Sequence, residues 1–107
     1  MPKYLLQASY TTDGVRGLLK EGGSKRRAAA EEAIKSVGGR VEAFYFAFGE
    51  SDAVVLVDIP DHVSATAAAL VVNGSGAVRV RTTVLVTPEE VDQATKKTVR
   101  YRPPGQK

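Results

Sequence analysis

The segment "RVEAFYFAFGESDAVVLVDIP", residues 40–60, restricts the possible folds more than any other part of this 107-residue chain. Its two halves, 40–48 and 53–59, are rich in aromatic and β-branched residues, the types that suit a pleated surface. Only "GESD" at 49–52 separates them, and runs joined by so short a link form an antiparallel hairpin. Alternation then assigns faces. Phe44, Phe46 and Phe48 share one side of the first strand, and Val41, Ala43, Tyr45 and Ala47 the other. Ala53, Val55, Val57 and Ile59 share one side of the second strand, and Val54, Leu56 and Asp58 the other. Apolar residues therefore stand on both faces, the mark of a sheet that is buried on both sides.

The flanking sequence supplies two more strands. "KYLLQASY" at 3–10 alternates, and "AVRVRTTVLV" at 77–86 alternates more strictly. In the latter, Val78, Val80, Thr82, Val84 and Val86 point one way, and Arg79, Arg81, Thr83 and Leu85 the other. After the first strand, "TTDG" at 11–14 opens a short helical piece, "VRGLLK", with Asp13 as its expected cap. Ser24 is the expected cap of a main helix over 25–37, whose stripe is Ala30, Ala33, Ile34 and Val37. Gly38 and Gly39 end it, one of them in the left-handed conformation. Pro60 stops the hairpin, and Asp61 caps a helix over 61–72 with Val63, Ala67, Leu70 and Val71 as its expected inner face. Thr87 caps a final helix with Pro88 at its first position and Glu89 and Glu90 in its first turn.

The order β-α-β-β-α-β-α predicts an α+β, ferredoxin-like fold: a four-stranded antiparallel sheet, two helices on one face, and an extra C-terminal helix. Residues 1–98 read as one such domain and 99–107 as a polar tail. Two helices cover one face only, so the other keeps an exposed apolar patch of the kind that marks association. A homodimer with its sheets packed face to face, a dimeric α/β barrel, covers both patches at once.

Composition removes several classes of function. The chain has no cysteine, which excludes thiolate nucleophiles, disulfides and Cys-ligated metals. A single histidine, His62, excludes a multi-His metal site within one chain. No cofactor or metal is implied. The N-terminal "MPKYLLQASY" turns polar too quickly for a signal peptide, and no apolar run reaches spanning length, so a cytoplasmic, membrane-free protein is expected. The net charge of +3 is spread among acids, and "KRR" at 25–27 precedes Glu31 and Glu32 at helical spacing, which reads as a solvated helix face. RNA-binding domains share this element order, but their base-stacking aromatics lie on the third strand, which here has none. No nucleic-acid partner is expected.

Asp58 is the most informative single residue, one acid near the end of an oily strand. It is a candidate general base or ligand contact, set against two structural readings that weigh more: an ion pair with Arg79 or Arg81, or a strand-end residue bonding loop amides before Pro60, since an acid buried there without a partner would be costly. Tyr45, Arg79 and Arg81 are the other candidate ligand contacts. Gly49 and Asp52 are assigned to the hairpin turn, and Pro60 and Asp61 to the strand end and helix start. His62, in the first turn of its helix, reads as a surface residue.

The ordered set Gly38-Gly39, Tyr45, Gly49, Asp52, Asp58, Pro60-Asp61, Gly76, Val78, Arg79 and Thr82 resembles the GYD family, over roughly residues 3–90. "TTDG" and the basic "SKRR" fit as well. Ser51 stands where the family has its eponymous tyrosine, Asp58 where it has glutamate, Ala77 where it has asparagine, and Arg81 where an acid is common. The resemblance implies a ferredoxin-like fold and a dimer of the α/β-barrel kind, and it supplies no reaction. The function expected is binding of a small apolar or aromatic ligand. The alternatives are a cofactor-independent oxygenase or isomerase with Asp58 as base, and an interaction module with no ligand.

Overall fold

The computed structural model describes residues 1–106, and Lys107, the last residue of the expected tail, lies outside them. Four strands, β1 (Lys3–Tyr10), β2 (Arg40–Phe46), β3 (Ala53–Asp58) and β4 (Val78–Leu85), form one antiparallel sheet in the order β2-β3-β1-β4. Between β1 and β2 lie α1 (Thr12–Glu21) and α2 (Gly23–Ser36); α3 (His62–Gly74) joins β3 to β4, and α4 (Pro88–Ala94) follows β4. The architecture is the α+β ferredoxin-like one, with its first helix broken in two and a C-terminal helix added. No helix among the described residues is long and apolar enough to cross a membrane.

Register sorts the sheet into rows, and the rows decide which residues can meet. On the helix-covered face they are Val41–Val57–Tyr4–Val84, Phe44–Val55–Leu6–Thr82 and Phe46–Ala53–Ala8–Val80. On the opposite face they are Arg40–Asp58–Lys3–Leu85, Ala43–Leu56–Leu5–Thr83 and Tyr45–Val54–Gln7–Arg81. Most of the faces match the alternation. Val41 departs from it, because a register shift between Val41 and Ala43 turns Val41 to the helix side, where it packs against the core. A bulge of this kind inserts one residue and resets the alternation beyond it.

The core lies between sheet and helices. Tyr4, Ile34, Val55, Val57, Ile59 and Ala65 make one buried cluster, and Ala8, Ala53 and Val78 a second. The α2 stripe is the one expected, with Ile34 its buried member. The inner face of α3 is not. Ala65 is buried and Ala68, Ala69 and Val72 are half-buried, whereas Val63, Ala67, Leu70 and Val71 face outward, Leu70 at 68% exposure. This helix is apolar nearly all round, so periodicity could not choose a side. The small side chains turn toward the sheet and the larger Leu70 and Val71 away from it.

Caps locate the helix starts. Asp61 Oδ1 accepts from Ser64 N at 2.7 Å, and Thr87 forms a reciprocal capping box with Glu90, both as the sequence indicates. At α1 the cap is Thr11, whose hydroxyl accepts from Gly14 N, and not Asp13. At α2 the capping position is Gly22 with no side-chain bond, so Ser24 is not the cap. Gly38 takes the left-handed conformation, φ +82°. In the hairpin, β2 ends at Phe46 and not at the expected 48, and Phe48 takes the left-handed conformation, φ 55°.

Beyond β4 the chain leaves the core. Nearly every described residue from Val86 onward is exposed, including Val91, Val99 and Tyr101. The radius of gyration is accordingly 17.2 Å, against about 13 Å for a compact chain of this length.

Candidate functional site

Asp58 ends β3 on the face without helices and is only 5% exposed. Its Oδ1 accepts from Lys3 Nζ at 2.9 Å, and its Oδ2 from Arg40 Nη2 at 2.8 Å. Lys3 also bonds Glu42, so four charges alternate in sign across three strands. The hydrogen bond from Lys3, followed by that from Arg40, holds the Asp58 carboxyl below its usual range, against the opposing effect of burial. Glu42 and then Asp58 hold the Lys3 ammonium above its own. Each carboxylate oxygen of Asp58 has a cationic donor.

The partners expected for Asp58 were Arg79 or Arg81, and neither is near it. Register explains why. Asp58 pairs with Lys3, whose β4 partner is Leu85, whereas Arg81 pairs with Gln7 and Arg79 with Ser9. Arg81 is thus four residues up the strand from the Asp58 row, about 13 Å at the usual rise. Its guanidinium instead points to the buried Ser51 hydroxyl at 3.5 Å. Tyr45 shares a row with Arg81, but on the opposite edge of the sheet, and is 71% exposed. The four candidate contacts lie on one face and do not converge. Asp52 does more than close the hairpin: its Oδ2 accepts from Tyr10 N at 2.8 Å and its own N–H donates to Ala8 O, tying the turn to β1. Pro60 and Asp61 stop the strand and start α3 as expected.

The helix-covered side holds a cavity of about 100 Å³. Its helix wall is largely alanine: Ala30 and Ala33 of α2, with Ala65, Ala68 and Ala69 of α3. Its sheet wall includes Leu6, Val55 and Phe44. Among the described residues, Arg26, Tyr10 and Thr82 are the only polar side chains that touch it. Alanine methyls facing a sheet leave the space that leucines would fill, and an apolar void stays dry and receptive to apolar molecules.

A second, polar feature escapes sequence reasoning. The hydroxyl of Tyr4 lies 2.7 Å from His62 Nδ1, with the rings edge to face at 6.0 Å. Tyr4 is 1% exposed and belongs to the core cluster, whereas His62 is exposed at the start of α3. The two border a groove of about 420 Å³ between α3 and β4. Fifty-eight residues separate them in sequence. Only the pairing of β1 with β3, which leads directly into α3, brings them together. A core-facing tyrosine needs a hydrogen-bond partner, and that need was the one signal available for seeking His62.

Comparison with known families gives one match: the model of the GYD domain covers residues 4–95. No curated protein is significantly similar to the chain.

Proposed function

The chain belongs to the GYD domain family, and we propose that it works as a homodimeric α/β barrel binding a small apolar or aromatic molecule. The observation that carries the binding reading is the alanine-walled cavity between sheet and helices. An engineered apolar cavity of roughly 150 Å³ takes up benzene, and this one, at about 100 Å³, is smaller, so a single ring is the upper limit of the body it can hold. Dimerisation is supported by the far face, where Leu5, Val54, Leu56 and Leu85 stay partly exposed beside Tyr45. These residues form the central apolar area that two copies would bury.

The alternative of a cofactor-independent oxygenase or isomerase needs Asp58 as a base. Two cationic donors on that carboxylate make it a weak proton acceptor. Asp58 also does not line the cavity. An ion-pair anchor at the end of the sheet suits it better. The binding reading is tested by titrating the protein with toluene and following the methyl resonances of Ala33, Ala65 and Ala68. Saturable shifts confined to these methyls are expected, and their absence would overturn the reading. Light scattering coupled to gel filtration tests the assembly: a stable monomer at micromolar concentration is incompatible with it.

A further inference from the structure

We propose that the Tyr4–His62 pair is the polar end of the ligand site, so that the ligand is a neutral molecule with a small apolar body and one oxygen-bearing head, phenol being the simplest case. This rests on the cavity reading above and adds the head group to it.

Three residues, Ala65, Ala69 and Thr82, line both the inner cavity and the groove bordered by Tyr4 and His62. Two alanine methyls and a threonine are all that these spaces have in common as a wall. A ligand with its body under α3 and its head in the groove would pass these three small side chains.

The polar groups around the groove are unequal. Asn73 is occupied by the backbone of Val80, its Oδ1 accepting at 2.7 Å and its Nδ2 donating at 3.4 Å. Thr66 donates its hydroxyl to His62 O. The Tyr4–His62 pair and the Thr82 hydroxyl are the groups not engaged with the backbone, beside the second N–H of Asn73 and the acceptor side of Thr66.

Counting protons shows what the pair offers. Neutral Tyr4 and neutral His62 carry two polar protons between them. One lies in their mutual hydrogen bond. The other points outward, either on His62 Nε2 or on the Tyr4 oxygen, according to tautomer. A free lone pair remains on the other atom. The outward proton and the free lone pair face different directions, because the two ring nitrogens point to opposite sides of the imidazole, so a head group meets one of them at a time, and a hydroxyl can engage either by donating or by accepting. A carbonyl would use the donor alone. Among the described residues no Lys, Arg, Asp or Glu lines the groove, so a neutral head matches it better than a carboxylate.

The experiment compares phenol with toluene, which share a body and differ in the head. Dissociation constants are measured for the full chain, for Tyr4→Phe and for His62→Gln. The ring resonances of His62, the only histidine, are followed throughout. In the wild type phenol should shift the His62 resonances and toluene should leave them nearly unmoved. In at least one variant the phenol-to-toluene affinity ratio should fall about tenfold, as expected for one hydrogen bond. Because His62 is exposed, its variant tests the idea even if Tyr4→Phe does not fold. Unmoved His62 resonances, or a ratio unchanged in every folded variant, would overturn the polar-end assignment while toluene binding left the cavity reading standing. Failure of both probes to bind the wild type removes the cavity reading itself, and the assignment with it.

Discussion

Lys3 and Asp58 are direct partners across β1 and β3, and the Nζ of one lies 2.9 Å from the Oδ1 of the other. The pair closes one end of the sheet. Arg40 joins it from β2, and Leu85 completes the row on β4. Asp58 is buried, while Arg40 reaches it from solvent. The carboxylate stays charged although buried because two cationic donors on neighbouring strands compensate for its lost hydration.

Asp58→Asn should lower stability by about 1–2 kcal/mol, less than for a fully enclosed pair because both cations are partly solvated. The pH dependence follows from the two displaced groups. The folded-state pKa of Asp58 is depressed, so its contribution is complete above the unfolded value near 3.9 and is lost as pH falls through the lower folded value. The folded-state pKa of Lys3 is raised, so its contribution is complete below about 10.4 and is lost as pH rises through the higher folded value. Urea unfolding at several pH values should give the largest difference between wild type and variant on the plateau between these limits. The difference should shrink below about pH 4. A difference independent of pH on the acid side would rule out the ion pair as its source.

The strand and helix order was legible because turn residues, caps and alternation agreed along the chain. The element that misled was α3, where "VSATAAALVV" is apolar on every side. Periodicity there could not tell that Ala65 goes in and Leu70 stays out. The Asp58 partners were misassigned for another reason. Alternation correctly put Asp58, Arg79 and Arg81 on one face, but pairing register, which alternation does not carry, put Lys3 and Arg40 beside the acid. The Tyr4–His62 pair was invisible on the same ground, being a contact made by tertiary topology alone.

Leu56 is the residue to change if two sheets face each other. It sits mid-row with Ala43, Leu5 and Thr83 on the uncovered face. Leu56→Glu should leave the circular dichroism spectrum intact and weaken self-association at least a hundredfold, since a carboxylate without a partner would be buried at the centre of the interface. Sedimentation equilibrium reads the result. A variant that still forms a dimer of wild-type affinity would place the interface elsewhere, the outer face of α3 being the next surface to test.

Ala68→Leu should fill the cavity from its helix side. Ala68 lines the cavity but not the groove beside Tyr4 and His62. Three added carbons entering an existing void relieve unfilled space instead of overpacking, so stability should stay within about 1 kcal/mol of wild type or rise. Toluene affinity should fall at least tenfold. A destabilised variant that still bound toluene would mean that the space closes around the leucine and the ligand sits elsewhere.

Gly14 and Gly17 lie three residues apart in α1, and the same substitution should act oppositely at the two. Alanine in place of glycine inside a helix normally stabilises by about 0.5–1 kcal/mol. At Gly17 a Cβ would meet nothing within 4 Å, so Gly17→Ala should show that gain. At Gly14 a Cβ would lie 2.0 Å from Ala77 O. That carbonyl cannot simply move aside, because it accepts from Thr11 N at 3.0 Å and from the Thr11 hydroxyl at 3.2 Å, bonds that dock the start of α1 on the start of β4. Relief requires α1 to lift away and break them. Gly14→Ala should therefore lose about 2–4 kcal/mol. Thermal unfolding of both variants measures the contrast, and equal midpoints would show that α1 is not held against Ala77.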